Sequence, residues 1–291
     1  MGDLKFRTEV DIKECKHTLD YSNKIMMLGS CFTTEIGKML QDYRFDVLVN
    51  PFGVLYNPAS IASSVERMVS GNPFSIDDVI ETNPADSHTP RKYASFFHHS
   101  SFARQNSDEF LSSANSSLEQ AQAFLNCADT VIITLGTAWT FRHIEKDLIV
   151  SNCHKRVAKE FHRELLQVED CISFLKRIAD LLPDKKIIYT VSPIRHFKDG
   201  AHGNQVSKST LLLAVNKVVA TNERCFYFPS YEIMMDELRD YRFYAEDMVH
   251  SSPLAVKYIF EKFRKAHISS AAIKQMTENL RLTKAENHIQ R

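Results

Sequence analysis

Two textures alternate along the chain. Short runs rich in β-branched and large apolar residues occur at 24–28 (KIMML), 46–49 (DVLV), 130–135 (TVIITL), 186–191 (KIIYTV) and from Cys225 (CFYFPS). These predict strands. Between them, apolar residues recur at helical spacing over 33–43, 58–70, 117–127, 164–182, 207–221 and 253–266, which predicts amphipathic helices. Strand and helix therefore alternate, the pattern of a mainly parallel sheet covered by helices. Residues 71–116 break the rhythm: the stretch is polar, carries three prolines and the pair His98-His99, and reads as an insertion that forms a lid or a partner surface. The polar segment from Ser269 onward reads as a further helix. The expected organisation is one domain over 1–268, with its insertion at 71–116, and a helical tail over 269–291 through which copies of the chain could associate.

Composition narrows the class. A chain of 291 residues, 44% hydrophobic and 25% charged, is long enough to bury one large core. Its 36 basic and 36 acidic residues cancel, so the field that would draw in a phosphate backbone or an anionic membrane is not built in, and nucleic acid is not an expected partner. No apolar run reaches the roughly 20 residues that span a bilayer, and the start MGDLKFRTEV lacks a signal-peptide arrangement, so a cytoplasmic chain is expected. Six scattered cysteines without a Cys-x-x-Cys pair fit reduced thiols rather than a disulfide frame or zinc site. His98-His99 has no carboxylate or cysteine at ligand spacing, so surface histidines are expected there and no metal or cofactor is called for.

In an open parallel sheet, ligands gather beyond the carboxyl ends of the strands, so the residues just past each strand are informative. The first strand ends in Gly29-Ser30-Cys31, the second in NPFGVLYNP (50–58), the third in GTAWTF (136–141) and the fourth in SPIRH (192–196). YAEDMVHSSP, late in the chain, holds Asp247 and His250. A serine at the start of a helix sits near the positive end of the dipole, where its backbone N–H can help hold an oxyanion. Aspartate and histidine three apart on a helical turn project to one side, so the carboxylate can orient one ring nitrogen while the other faces the serine. Taken singly, the same residues also read as a helix cap and a surface turn, and Cys31 is an adjacent rival nucleophile. No Gly-x-Ser-x-Gly elbow occurs, which sets aside the α/β-hydrolase arrangement. Arg195 and His196 are candidates to anchor an anionic or hydroxyl-rich substrate, or to pair with carboxylates such as Asp199. Asn152, His154 and Lys155 either line the cleft or close a hairpin of TFRHI and DLIVS; Trp139, the sole tryptophan, is a hairpin anchor or a sugar platform.

The ordered motifs GSCFTTEIG, NPFGVLYNP, TLGTAW, NCHK, SPIRHFKDG and EDMVH, from about Met27 to Phe263, resemble the GSCFA-domain family, within the SGNH (GDSL-like) hydrolases. Thr33 stands where the family name has alanine. The resemblance implies a flavodoxin-like three-layer αβα sandwich and a serine esterase with Ser30 as nucleophile and Asp247 and His250 completing a triad. It also implies an oxyanion hole using Gly53 after the second strand and an asparagine after the third, where this chain offers Thr137; Asn57 and Asn152 are the alternative donors. The expected substrate is a small-molecule or carbohydrate ester, cleaved through an acyl-enzyme. An acyltransferase with the same triad, and a binding module that has lost activity, are the competing readings.

Overall fold

The structure, a computed structural model, describes residues 7–12, 18–82 and 90–289. Five strands build the main sheet: β1 (Lys24–Gly29), β2 (Asp46–Val49), β5 (Thr130–Leu135), β9 (Lys186–Val191) and β10 (Cys225–Phe228). They lie side by side in the order β2-β1-β5-β9-β10, every pair parallel. That is the flavodoxin-like order, with its switch of direction between β1 and β5. Alternate residues of each strand face opposite layers. On one side Ile25, Met27, Ile132, Ile188 and Phe228 pack under α1 (Cys31–Asp42), α7 (Pro253–His267) and α8 (Ser270–Ile289). On the other, Met26, Leu28, Val131, Ile133, Ile187 and Tyr189 meet α2 (Pro58–Ser70), α3 (Ser107–Cys127), α4 (Val168–Leu181) and α5 (Gly200–Thr221). The expected α/β sandwich is what the chain forms.

Two small sheets stand beyond the main one. The hairpin β3 (Ile80–Glu81) and β4 (Tyr93–Ala94) lies in the expected insertion. A second sheet, in the order β7-β6-β8, joins β6 (Trp139–His143), β7 (Leu148–Val150) and β8 (Phe161–Leu165). The sequence pattern anticipates β6 and β7 but runs Glu164 into a helix. Here Glu164 lies in β8, and α4 begins only after Gln167, whose N–H bonds Asp170 in a capping box. Likewise α3 starts at Ser107 rather than Ser117, capped by Asn106 on Glu109 N–H at 2.8 Å. Its serine-rich first half buries only Phe110 and Ala114 on the core side, too faint a stripe for periodicity to register.

His98 corrects a second expectation. It is fully buried rather than at the surface, ringed by Phe52, Phe74, Phe102 and Phe110, with Nδ1 at 2.7 Å from Ser95 Oγ. Burial, then His154 and Arg67, push its pKa down to about 3. The tail α8 folds back on its own domain: Ala272 and Met276 enter the core, and Asn279 bonds Tyr43 O at 3.3 Å. Among the described residues no helix is long and apolar enough to cross a membrane. The described cysteines Cys31, Cys127, Cys153, Cys171 and Cys225 are free thiols; Cys15 lies outside the described residues.

Candidate active site

The turn after β1 is built around Gly29. Its φ of +139° lies where L-residues rarely go, and a Cβ there would overlap the Thr134 carbonyl of β5. Asn50, itself left-handed at φ 47°, braces this turn: its Oδ1 accepts the Gly29 N–H at 2.8 Å and its Nδ2 donates to Thr34 Oγ1 at 3.2 Å. Leu55 N–H adds a bond to Gly29 O at 3.0 Å. Ser30 is thereby fixed at the N-cap of α1 in extended backbone, and here its side chain departs from habit. A serine at this position ordinarily accepts a helix N–H. Ser30 Oγ makes no capping bond, is shut from solvent and has no hydrogen-bond partner among the described residues. Among the described residues, α1 carries no acidic side chain in its first turn to answer the dipole.

Asp247 and His250 meet in a loop rather than on a helical turn. The loop is closed by a bridge between Tyr244 and Ser251, and Arg195 N–H holds it by donating to Val249 O at 3.2 Å. Within it Asp247 Oδ1 accepts the N–H groups of Val249 and His250, both at 2.9 Å, while Oδ2 meets His250 Nδ1 at 2.6 Å. The His250 main-chain and side-chain bonds, with the Val249 bond, hold the carboxylate pKa down to about 2. Asp247 is therefore ionised, and a ring whose Nδ1–H donates to it presents Nε2 as an acceptor. His250 shares the wall of a cleft of about 280 Å³ with Cys31, Phe32, Ile194 and Ser251. No hydrogen bond joins its ring to Ser30 Oγ among the described residues.

A larger cavity, about 500 Å³, opens beside this cleft. It is lined by Tyr56, Asn57, Thr137, Trp139, Phe141, Asn152, Arg163, His196 and Lys198, among others. Tyr56 links the two spaces, since it lines the cavity while its hydroxyl touches Cys31 Sγ at 3.6 Å. Burial first, then Cys31, raise the Tyr56 pKa, so it stays a neutral phenol. His196 packs edge-on to Tyr56 at 5.8 Å, and burial, aided by Lys208 and His250, pushes it down to about 4. It is a neutral ring at neutral pH.

The expected oxyanion donors are otherwise engaged. Ser30 N–H donates to Thr134 O at 3.2 Å, Gly53 N–H to Asn50 O at 2.8 Å, and Thr137 N–H to Tyr56 O at 3.0 Å. Thr137 Oγ1 is at 3.0 Å from Ser207 Oγ and accepts Trp139 N–H at the same distance, which makes it a strut of the β5–β6 turn. Gly53, at φ +81°, has His99 Cβ where its own would lie. Asn57 caps α2 through Oδ1, on Ser60 N–H at 2.8 Å, and its Nδ2 has no bond among the described residues. Asn152 accepts His154 N–H at 2.7 Å and lines the cavity. His154 does not: it is buried, with Nε2 on Ser95 O at 2.7 Å. Arg195 also sits apart, its guanidinium 3.9 Å from the Tyr244 ring in a separate pocket of about 160 Å³.

Residues 24–263 match the GSCFA family, which covers the sheet, the Ser30 turn and the Asp247–His250 loop together. The chain belongs to the GSCFA family. No protein of curated function matches the sequence. Solved structures with a distant likeness to this GSCFA chain include a family 3 carbohydrate esterase of Clostridium thermocellum, 11% identical, with a TM-score of 0.41 over 84% of this chain and 94% of that one. Another is an acetyl xylan esterase, Est2A, from the rumen bacterium Butyrivibrio proteoclasticus, 12% identical, with a TM-score of 0.38 over 84% of this chain and 64% of that one. At this distance neither likeness assigns an activity.

Three residues of this GSCFA site escape a reading by motif. Asn50 is visible as part of NPFGVLYNP, but its bracing of Gly29 is a tertiary contact. Tyr56 carries no chemical signature in the sequence. Lys208 is fully buried in α5, with Nζ donating to Gly136 O and Ser192 O, both at 2.7 Å. Burial lowers its pKa to about 7. A lysine on the apolar side of a helix is its only signal, and it ties together the turns after β5 and β9.

Proposed function

We propose that this protein is a serine esterase of the SGNH type, acting on a small-molecule or carbohydrate ester. The observation that carries the proposal is Ser30 Oγ, held at a helix N-terminus, buried and bonded to nothing among the described residues, next to Cys31, which shares the wall of a cleft with His250, the partner of Asp247. A serine at an N-cap ordinarily turns its hydroxyl to a helix N–H, and that Ser30 Oγ makes no such bond supports a chemical role.

In the reaction His250 Nε2 takes the Ser30 proton as Oγ attacks the ester carbonyl, and Asp247 holds the imidazolium. The C–O bond to the alcohol then breaks, with His250 returning the proton to the leaving oxygen. Water, deprotonated by His250, releases the acid from the acyl-enzyme. The loop that carries Asp247 and His250 is held by the Tyr244–Ser251 bridge and by the Arg195 N–H bond to Val249 O. Asn57 Nδ2, which like Asn152 Nδ2 has no bond among the described residues, is a side-chain donor left for the oxyanion, since the three backbone N–H groups are engaged. Free thiols at the described cysteines fit a cytoplasmic, reducing setting.

A panel of p-nitrophenyl acyl esters of rising chain length tests the reading. Wild type turns over at least one of them, and Ser30→Ala and His250→Ala each lose turnover by about 10³-fold or more. Unchanged turnover in Ser30→Ala would overturn it.

A further inference from the structure

The cavity beside Ser30 has a hydrogen-bonding polarity. Three of its acceptor groups are committed, while His196 Nε2 has no partner among the described residues. Asp199 gives both carboxylate oxygens to Arg163, Nε at 2.6 Å and Nη2 closer. Asn152 gives its Oδ1 to the backbone N–H of His154, and because only oxygen can accept there, the amide orientation is fixed with Nδ2 as its free end. Thr137 Oγ1 already accepts from Trp139 N–H. The donors are a different matter. Three cations, Arg156, Arg163 and Lys198, line the space against the single carboxylate of Asp199. Arg163 is matched by Asp199, and Arg156 by Glu160 at 2.6 Å. Lys198 has no carboxylate partner among the described residues; its Nζ rests 4.6 Å from the centre of the Phe141 ring. Asn152 Nδ2 likewise has no bond among them. The wall thus offers one positive charge, on the exposed Lys198, with no carboxylate partner among the described residues, and a free Asn152 Nδ2, beside the Trp139 and Phe141 rings.

We propose that this cavity receives an anionic group of the substrate, a carboxylate or a phosphate on a sugar-sized ring, with Lys198 as its counter-charge. An anionic ligand gains a charge-assisted hydrogen bond at Lys198 that a neutral polyol does not. The ring lies on the Trp139 and Phe141 faces, and Asn152 donates to the anion or an adjoining hydroxyl. The proposal takes from the esterase reading only that the cavity belongs to the substrate, and its test does not depend on turnover.

Trp139 is the sole tryptophan and lines the cavity, so fluorescence excited selectively at tryptophan reports on this site. Purified full-length protein is titrated with methyl glucuronoside, glucose 6-phosphate and methyl glucoside, in wild type, Lys198→Gln and, as a control on the distant exposed part of α5, Lys217→Gln. At least one anionic sugar gives saturable binding, at least tenfold tighter than the neutral one. Lys198→Gln weakens it tenfold or more, and Lys217→Gln by less than twofold. Saturation by the uronate alone assigns a carboxylate, and by the phosphate alone a phosphate. Equal affinity for the neutral glucoside, no effect of Lys198→Gln, or no saturation by either anion overturns the proposal. Loss of p-nitrophenyl ester turnover in wild type would instead remove the esterase reading while leaving this binding result to stand.

Discussion

Replacing His267 by phenylalanine should flatten the protein's response to acid by a predictable amount. The imidazole is 1% exposed, stacked on Phe263 at 4.9 Å and edge-on to Phe228 at 5.7 Å, with neither ring nitrogen bonded among the described residues. Burial pushes its pKa down from 6.5 to about 4. Above pH 6.5 the ring is neutral in both folded and unfolded chains and costs nothing extra. As pH falls, the unfolded chain takes up the proton first, so stability is lost progressively from about 6.5 down to about 4. Between pH 7 and pH 5 those two values give a loss of about 2 kcal/mol from this residue, at about 1.4 kcal/mol per pH unit once the unfolded ring is titrating. Phenylalanine keeps the stacked ring, cannot titrate and removes two unbonded buried nitrogens, so at pH 7 the variant is at least as stable as wild type. Urea unfolding followed by far-ultraviolet circular dichroism at pH 7, 6 and 5 reads the effect as a difference of differences. Contributions from His98, His196 and the carboxylates are common to both proteins and cancel. The wild type should lose about 2 kcal/mol more than His267→Phe over this range. Equal losses would show that His267 is protonated within the fold or solvated, and would refute the reasoning.

Gly29→Ala should cost about 3 kcal/mol or more in thermal or chemical unfolding, because it combines a φ of +139° with overlap on the Thr134 carbonyl; a soluble variant with wild-type stability would show that the turn is not as described. Thr137→Val should cost about 1–2 kcal/mol through the Ser207 and Trp139 bonds while leaving ester turnover per folded molecule within threefold. A tenfold fall in turnover at unchanged stability would return Thr137 to the oxyanion site. Asp247→Asn should keep a measurable share of turnover and His250→Ala far less, since the first orients and the second moves the proton; equal residual rates at all pH values would count against that division.

How much of this was legible in the sequence depended on how locally each feature is encoded. The five main strands emerge where the pattern places them: β1, β5 and β9 are apolar runs buried on both faces in consecutive residues, and the shorter edge strands β2 and β10 are half-buried apolar runs. The early start of α3 and the strand β8 were not legible. The first is mostly polar and is fixed by its Asn106 cap; the second is a half-exposed strand whose pairing with β6 is the only thing separating it from the helix after it. At the site, Gly29-Ser30 and Asp247-x-x-His250 are short enough to read directly. Their positioning is not: Asn50 reaches back 21 residues to Gly29, and Lys208 reaches 72 residues to Gly136. The donors implied for the oxyanion hole were legible as residue types, but the carbonyls that engage them come from neighbouring turns. His98 shows the same limit, since a histidine in a polar stretch gives no sign of the four phenylalanine rings that surround it.

The most direct test of the central claim is covalent labelling by a fluorophosphonate, with mass spectrometry of the peptide that contains Gly29, Ser30, Cys31 and Phe32. An ordinary alcohol is too weak a nucleophile to react near neutral pH, so labelling reports a serine whose proton is being removed. The account predicts one adduct per chain, located on Ser30, retained in Cys31→Ala and lost in His250→Ala. An unlabelled Ser30 in folded wild type, with rapid iodoacetamide modification of Cys31 at pH 7 in its place, would contradict it.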